Sequence, residues 1–167
     1  MAVEPCVHGR VTAEPGVMLP KLQPDVCPIG ISVLAVSPHP EDHRRLTEIF
    51  QHSRWQIRSA TDLGQAAAIL RESQISVVIC EHTMPDGDWR ALCRQATELG
   101  IPCRFLVARR HADEQVWAEI LDAGGYDCLS KPFRADEVYR MVSLAWRSWN
   151  DERNRSQQSR SASATQS

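Results

Sequence analysis

Glu81 closes the apolar run Ile75–Cys80, and Lys131 follows the short run Asp127–Leu129. A carboxylate and an ammonium at such places can pair with one another or hold a charged ligand between them. Ser37-Pro38-His39 follows the run Ile31–Val36, and Val107-Ala108 closes Cys103–Val107. His39, Glu81 and His82 are also ligand types for a transition metal, and His39 and His43 lie four apart near a helix start. His82 adjoins Glu81, however, so their side chains should diverge, and no tight ligand cluster is visible. Six cysteines (Cys6, Cys27, Cys80, Cys93, Cys103, Cys128) include no CxxC pair. Their spacing fits neither a zinc nor a redox site, and buried free thiols are the expectation. The stretch Ser37–Asp42 has no glycine, two prolines and two acids, so it repels a nucleotide phosphate rather than cradling it.

The elements that must position these residues alternate in kind. Ile31–Val36, Trp55–Ser59, Ile75–Cys80, Cys103–Val107 and Asp127–Leu129 read as strands. Between and after them run helical faces: Leu46, Ile49 and Phe50; Leu63, Ala67 and Leu70, with Thr61 as a candidate cap; Trp89, Leu92, Ala96 and Leu99, stopped at Gly100; Val116, Ile120 and Ala123, stopped at Gly124-Gly125; and Val138, Met141, Val142, Ala145, Trp146 and Trp149. Met84-Pro85-Asp86-Gly87 reads as a loop. Strand and helix thus alternate five times, which demands an α/β architecture: a doubly wound parallel sheet with right-handed crossovers. The working crevice of such a sheet lies at the carboxyl ends of its strands, where Ser37, Pro38, Glu81, Val107 and Lys131 fall.

The chain has 167 residues, 43% hydrophobic and 24% charged, with a net charge of −2. That excludes wholesale binding to nucleic acid or anionic lipid. No apolar stretch is long enough to span a bilayer or serve as a signal peptide, so the expectation is a cytoplasmic protein. Residues 1–28 hold five of the ten prolines and show no sustained period, and are expected to form a disordered arm. Residues 151–167 are dominated by Ser, Gln and Arg and contain no Val, Ile, Leu, Met or aromatic residue, so disorder is expected there too. The domain is then 29–150.

Two stretches in this frame resemble the receiver domains of bacterial response regulators. They are Val77-Val78-Ile79-Cys80-Glu81-His82-Thr83-Met84-Pro85-Asp86-Gly87 and Ala123-Gly124-Gly125-Tyr126-Asp127-Cys128-Leu129-Ser130-Lys131-Pro132-Phe133, and the resemblance covers roughly residues 30–148. It implies a flavodoxin-like (βα)5 fold with strand order 2-1-3-4-5. It also implies a site in which an aspartate after the third strand takes a phosphoryl group from a histidine kinase. Acidic residues after the first strand would hold magnesium there, and a hydroxyl after the fourth strand and a lysine after the fifth would contact the phosphoryl group. A cis bond before Pro132 is implied as well. Measured against that pattern, the acceptor position is Glu81, the acidic pair falls on Ser37 and Pro38, the hydroxyl position is Val107, and Lys131 alone is retained. With two of three carboxylates gone, the magnesium site should be lost. Glu81 is then either a standing mimic of the phosphorylated state or simply the ion-pair partner of Lys131, the reading we favour.

The resulting expectation is a stand-alone pseudo-receiver, not an enzyme, that works by contact with protein partners such as a histidine kinase or a signalling assembly. Trp117, Tyr139, Trp146 and Trp149 are candidates for its partner face, in a homodimer or with another protein; core packing is the alternative. One competing function is a conventional phosphoacceptor in which Asp86 or Asp88 substitutes. Another is a small ligand-binding or enzymatic domain on the same sheet. Arg104, Arg109 and Arg110 form a small basic group, by default solvated.

Overall fold

The computed structural model describes residues 30–111 and 113–165; the expected N-terminal arm lies outside them. Five strands form one sheet: β1 (Ser32–Val36), β2 (Gln56–Ala60), β3 (Val77–Glu81), β6 (Arg104–Arg109) and β7 (Asp127–Ser130). Their order is β2-β1-β3-β6-β7, and all neighbours are parallel. This is the expected 2-1-3-4-5 order. The stretch expected to be a plain loop also carries a two-residue hairpin, β4 (Thr83–Met84) and β5 (Gly87–Asp88), in which Met84 pairs with Gly87. Gly87 sits at a φ of +145°, a backbone conformation open to glycine.

Helices α1 (Pro40–Phe50) and α5 (Ala135–Ala164) cover one face of the sheet. Helices α2 (Leu63–Glu72), α3 (Trp89–Glu98) and α4 (Glu114–Asp122) cover the other. Alternation along the strands divides the core accordingly. Val33, Ala35, Val77, Ile79, Leu106, Ala108 and Leu129 pack against α1 and α5. Leu34, Val36, Val78, Cys80, Phe105 and Val107 pack against α2, α3 and α4. Both faces of the central strands are thus buried, which is why Ile75–Cys80 reads as a continuous apolar run.

The caps explain several boundaries. Asp62, not Thr61, caps α2: its carboxylate accepts the Gln65 N–H at 2.7 Å. The Asp86 carboxylate accepts the Leu63 N–H at 2.9 Å, so the hairpin turn also satisfies the start of that helix. Asp88 caps α3 through the N–H groups of Arg90 (3.0 Å) and Ala91 (3.3 Å). Gly100 follows α3 at a φ of +67°. The Lys131–Pro132 peptide bond is cis.

α5 departs most from expectation. The segment from 151, expected to be disordered, is helical through Ala164. Its last apolar anchor is Trp149; beyond it nearly every residue is exposed. Nucleating a helix is the costly step, and the packed turns Val138–Trp149 have already met it, so each further residue needs only propagation. Ser156, Ser159, Ser161 and Ser163 each turn their hydroxyl back to the carbonyl four residues earlier, at 3.0 Å. No helix among the described residues is long and apolar enough to cross a membrane.

Candidate functional site

The crevice is built where β1, β3, β6 and β7 end. Glu81 is the last residue of β3 and lies opposite Ala108 in the parallel register. Lys131 follows β7, and its ammonium forms ion pairs with the Glu81 and Asp42 carboxylates. All three side chains are largely buried, with side-chain exposures of 7% for Lys131, 11% for Asp42 and 14% for Glu81. The Ser37 hydroxyl donates to Asp42 Oδ2 at 2.6 Å and accepts the His39 N–H at 3.1 Å. His43 Nε2 donates to the Ser37 carbonyl at 2.8 Å, which ties the β1–α1 turn to α1. The Lys131 ammonium also stands 5.7 Å from the centre of the Phe133 ring.

Asp42 is the residue that sequence reading missed. The resemblance puts the acidic pair directly after β1, at Ser37 and Pro38, whereas the carboxylate comes from the first turn of α1. A signal was present: Asp42, Leu46 and Ile49 recur at helical spacing, which puts Asp42 on the buried face of α1. Val107 also needs correction as a crevice position. It pairs with Cys80, and its side chain is fully buried on the α2–α4 side of the sheet. Side chains alternate along a strand, so a shift of one residue changes faces; the residue opposite Glu81 is Ala108, which carries no hydroxyl. Pro38 is half-buried and brings no ligand atom to the ion-pair cluster.

The structure does not assemble the four aromatics of the expected partner face into one surface. Trp146 and Trp149 are core residues between α5 and the sheet, 9% and 2% exposed. The Trp149 indole donates to the Pro102 carbonyl at 2.8 Å. Tyr139 packs its ring against Phe50 and Trp55 beside α1, and its hydroxyl donates to the Ile49 carbonyl. Only Trp117 is well exposed, at 45%, and its indole donates to Asp127 at 2.9 Å. The expected stripe on α5 is real, but a period of 3.6 does not distinguish core from interface.

Cys80, Cys93, Cys103 and Cys128 are free thiols. Burial raises all four thiols above their ordinary value, Cys128 to about 11 and Cys103 to about 12, which disfavours the nucleophilic thiolate. Among the described residues no group of three or more His, Cys, Asp or Glu is placed to hold a metal.

A family model, the response regulator receiver domain, matches residues 33–143, about two-thirds of the chain. The chain belongs to the response regulator receiver family. This receiver is 26% identical over 112 residues to the sensor histidine kinase RcsC of Escherichia coli K12; the match covers 67% of the chain and 12% of the kinase. The chain therefore spans only a small part of that relative's length. Among solved structures, it resembles the signal receiver domain of a LuxO repressor protein of Vibrio parahaemolyticus with a TM-score of 0.69. That likeness is at 18% identity and covers 74% of this chain and 95% of the other. A second likeness is to the Saccharomyces cerevisiae complex of the phosphotransfer protein Ypd1 and the receiver domain of Ssk1. There the TM-score is 0.63 at 15% identity, covering 68% and 87% of the two chains. These likenesses show the receiver fold.

Proposed function

We propose that this receiver is a pseudo-receiver: it acts in two-component signalling through protein–protein contact, in the cytoplasm, without efficient phosphorylation of its crevice. The observation that carries this reading is that Glu81 occupies the acceptor's place and is ion-paired to Lys131. At the end of β3, where the family carries its aspartate, Glu81 stands with Asp42 against the Lys131 ammonium. A phosphoryl group arriving there needs cations around the charge that develops in transfer. Here the one cation on the crevice floor is already shared between two carboxylates. Ala108, opposite Glu81, offers no hydroxyl to an incoming phosphoryl oxygen.

The donor set does not fit magnesium. That ion takes hard oxygen ligands in near-octahedral array and keeps several waters, whereas the two carboxylates here are already engaged by the Lys131 ammonium. Asp86 and Asp88, the other candidate acceptors, are committed to capping α2 and α3. The partner is a protein: a histidine kinase, a phosphotransfer protein or a neighbour in a signalling assembly. The fold's likeness to the receiver of the Ypd1–Ssk1 complex supports that class.

Incubation with a small-molecule phosphoryl donor and magnesium, followed by intact mass, tests the reading. The mass is expected to stay unchanged. A stoichiometric, magnesium-dependent gain of one phosphoryl group contradicts it.

A further inference from the structure

The end of the sheet opposite the Glu81–Lys131 crevice carries an open cleft beside the point where the chain enters β1. Its volume is about 320 Å³, and it lies between the C-terminal ends of α2 and α3, with Leu70, Arg71, Glu72, Ile75, Ile101 and Pro102 in its walls. Leu99, next to the lining residue Gly100, is 51% exposed, the most exposed large hydrophobic side chain among the described residues. Pro102 is exposed as well, and Ile101 is half-buried. Apolar surface of this kind gains free energy when it is covered. Three strands start side by side at this end. The Ser76 N–H donates to the Ser32 carbonyl at 3.0 Å, and the Arg104 N–H donates to the Ser76 carbonyl at 2.9 Å. The register that sets Val33 beside Val77, continued back along both strands, sets Ile31 beside Ile75 of the cleft wall. The chain therefore enters β1 about one strand spacing, roughly 5 Å, from that wall.

We propose that this cleft is the docking site of the chain's own segment 17–29, which lies outside the described residues. Its sequence is Val17-Met18-Leu19-Pro20-Lys21-Leu22-Gln23-Pro24-Asp25-Val26-Cys27-Pro28-Ile29. Prolines four apart remove the N–H groups that a helix needs, and each biases the residue before it to extended backbone. An extended segment advances about 3.3 Å per residue, so Val26, four residues before Gly30, reaches about 13 Å, enough to cross the cleft. Leu22 and Val26 supply the aliphatic side chains that Leu99, Ile101 and Pro102 leave uncovered. Arg71 and Glu72 of the wall have opposite charges to meet in Asp25 and Lys21 of the segment. A segment tethered a few residues away meets the cleft at an effective concentration of about millimolar, which favours it over a second copy of the chain. The contact is independent of the crevice chemistry, since it sits at the other end of the sheet.

The test is trypsin cleavage of the full chain after Lys21, followed by intact mass. Cleavage needs the segment free of the cleft, so its rate follows the population of the undocked form. The full chain should be cut there about tenfold or more slowly than a synthetic peptide of residues 15–29, the scale of burying one aliphatic side chain. Leu99→Asp and, separately, Val26→Asp should each restore most of the peptide's rate. Because Leu99 is exposed, its replacement should preserve the fold, which an unchanged near-ultraviolet spectrum verifies. Leu144→Asp, a 40% exposed site on α5 at the other face of the sheet, should leave the rate of the unaltered chain unchanged. Diluting the protein should leave it unchanged too. A rate that rises on dilution gives the cleft to a second copy and overturns the proposal. A full chain cut as fast as the peptide overturns it, and so does slow cutting that persists in Leu99→Asp.

Discussion

Lys131 is the single cation between two buried carboxylates, so its removal leaves like charges facing one another in a poorly hydrated place. Lys131→Met is expected to destabilise the fold by about 3–5 kcal/mol, the scale for breaking a buried ion pair from one side, as read by urea unfolding. Glu81→Gln should cost clearly less, because Asp42 keeps its hold on the ammonium and on the Ser37 hydroxyl. His82 gives a residue-scale test of pH dependence. Its charged form is disfavoured in the fold by burial, then by Arg109 and Arg90. The stability it contributes is therefore full above the ordinary histidine value and is lost as pH falls from there through the lowered native value. Arg109→Gln should raise the His82 midpoint followed by NMR; an unmoved midpoint contradicts the assigned cause. At this scale the sequence was partly legible. Glu81 and Lys131 could be brought together because both sit where apolar runs end in a parallel sheet. Asp42 could not be found by looking directly after β1, since a helical turn and not the strand delivers it. The change from Val107 to Ala108 came from one residue of strand register, which composition does not set.

Elements were legible where a hydrophobic period is sustained and poorly legible where it is short or missing. The five sheet strands follow from short apolar runs and the five helices from a period of 3.6. The β4–β5 hairpin, two residues a side, is too short to show a period. The end of α5 has no apolar period at all; its helicity is propagated from packed turns. Removing residues 156–167 should therefore change unfolding free energy by no more than about 0.5 kcal/mol, as for other surface changes, while reducing the far-ultraviolet helix signal. Trp149 belongs to the packed part of the same helix. Trp149→Ala is expected to cost about 3–5 kcal/mol, against about 0.5 kcal/mol or less for exposed Trp117→Ala. Near-equal losses would mean that Trp149 is not the core anchor its 2% exposure indicates. The α4–β7 turn carries a further constraint. A Cβ on Gly125 would lie 2.9 Å from the Ile120 carbonyl oxygen and 3.1 Å from the Trp89 ring. Gly125→Ala should accordingly destabilise by about 1–3 kcal/mol, the range for overpacking.

For the molecule as a whole, a net charge of −2 hides a local arrangement that decides what the crevice can hold. The floor carries two carboxylates and a resident ammonium, and the mouth carries the Arg109 and Arg110 guanidinium groups. The proposed function rests on one fixed charge pattern rather than on one that waits on a metal and a phosphoryl group. The central claim is that the Lys131 ammonium serves as the crevice's own cation. Isothermal titration calorimetry of the full chain with magnesium tests it most directly. The account expects no saturable heat at millimolar magnesium; saturable uptake of one ion, abolished by Glu81→Gln, would contradict it.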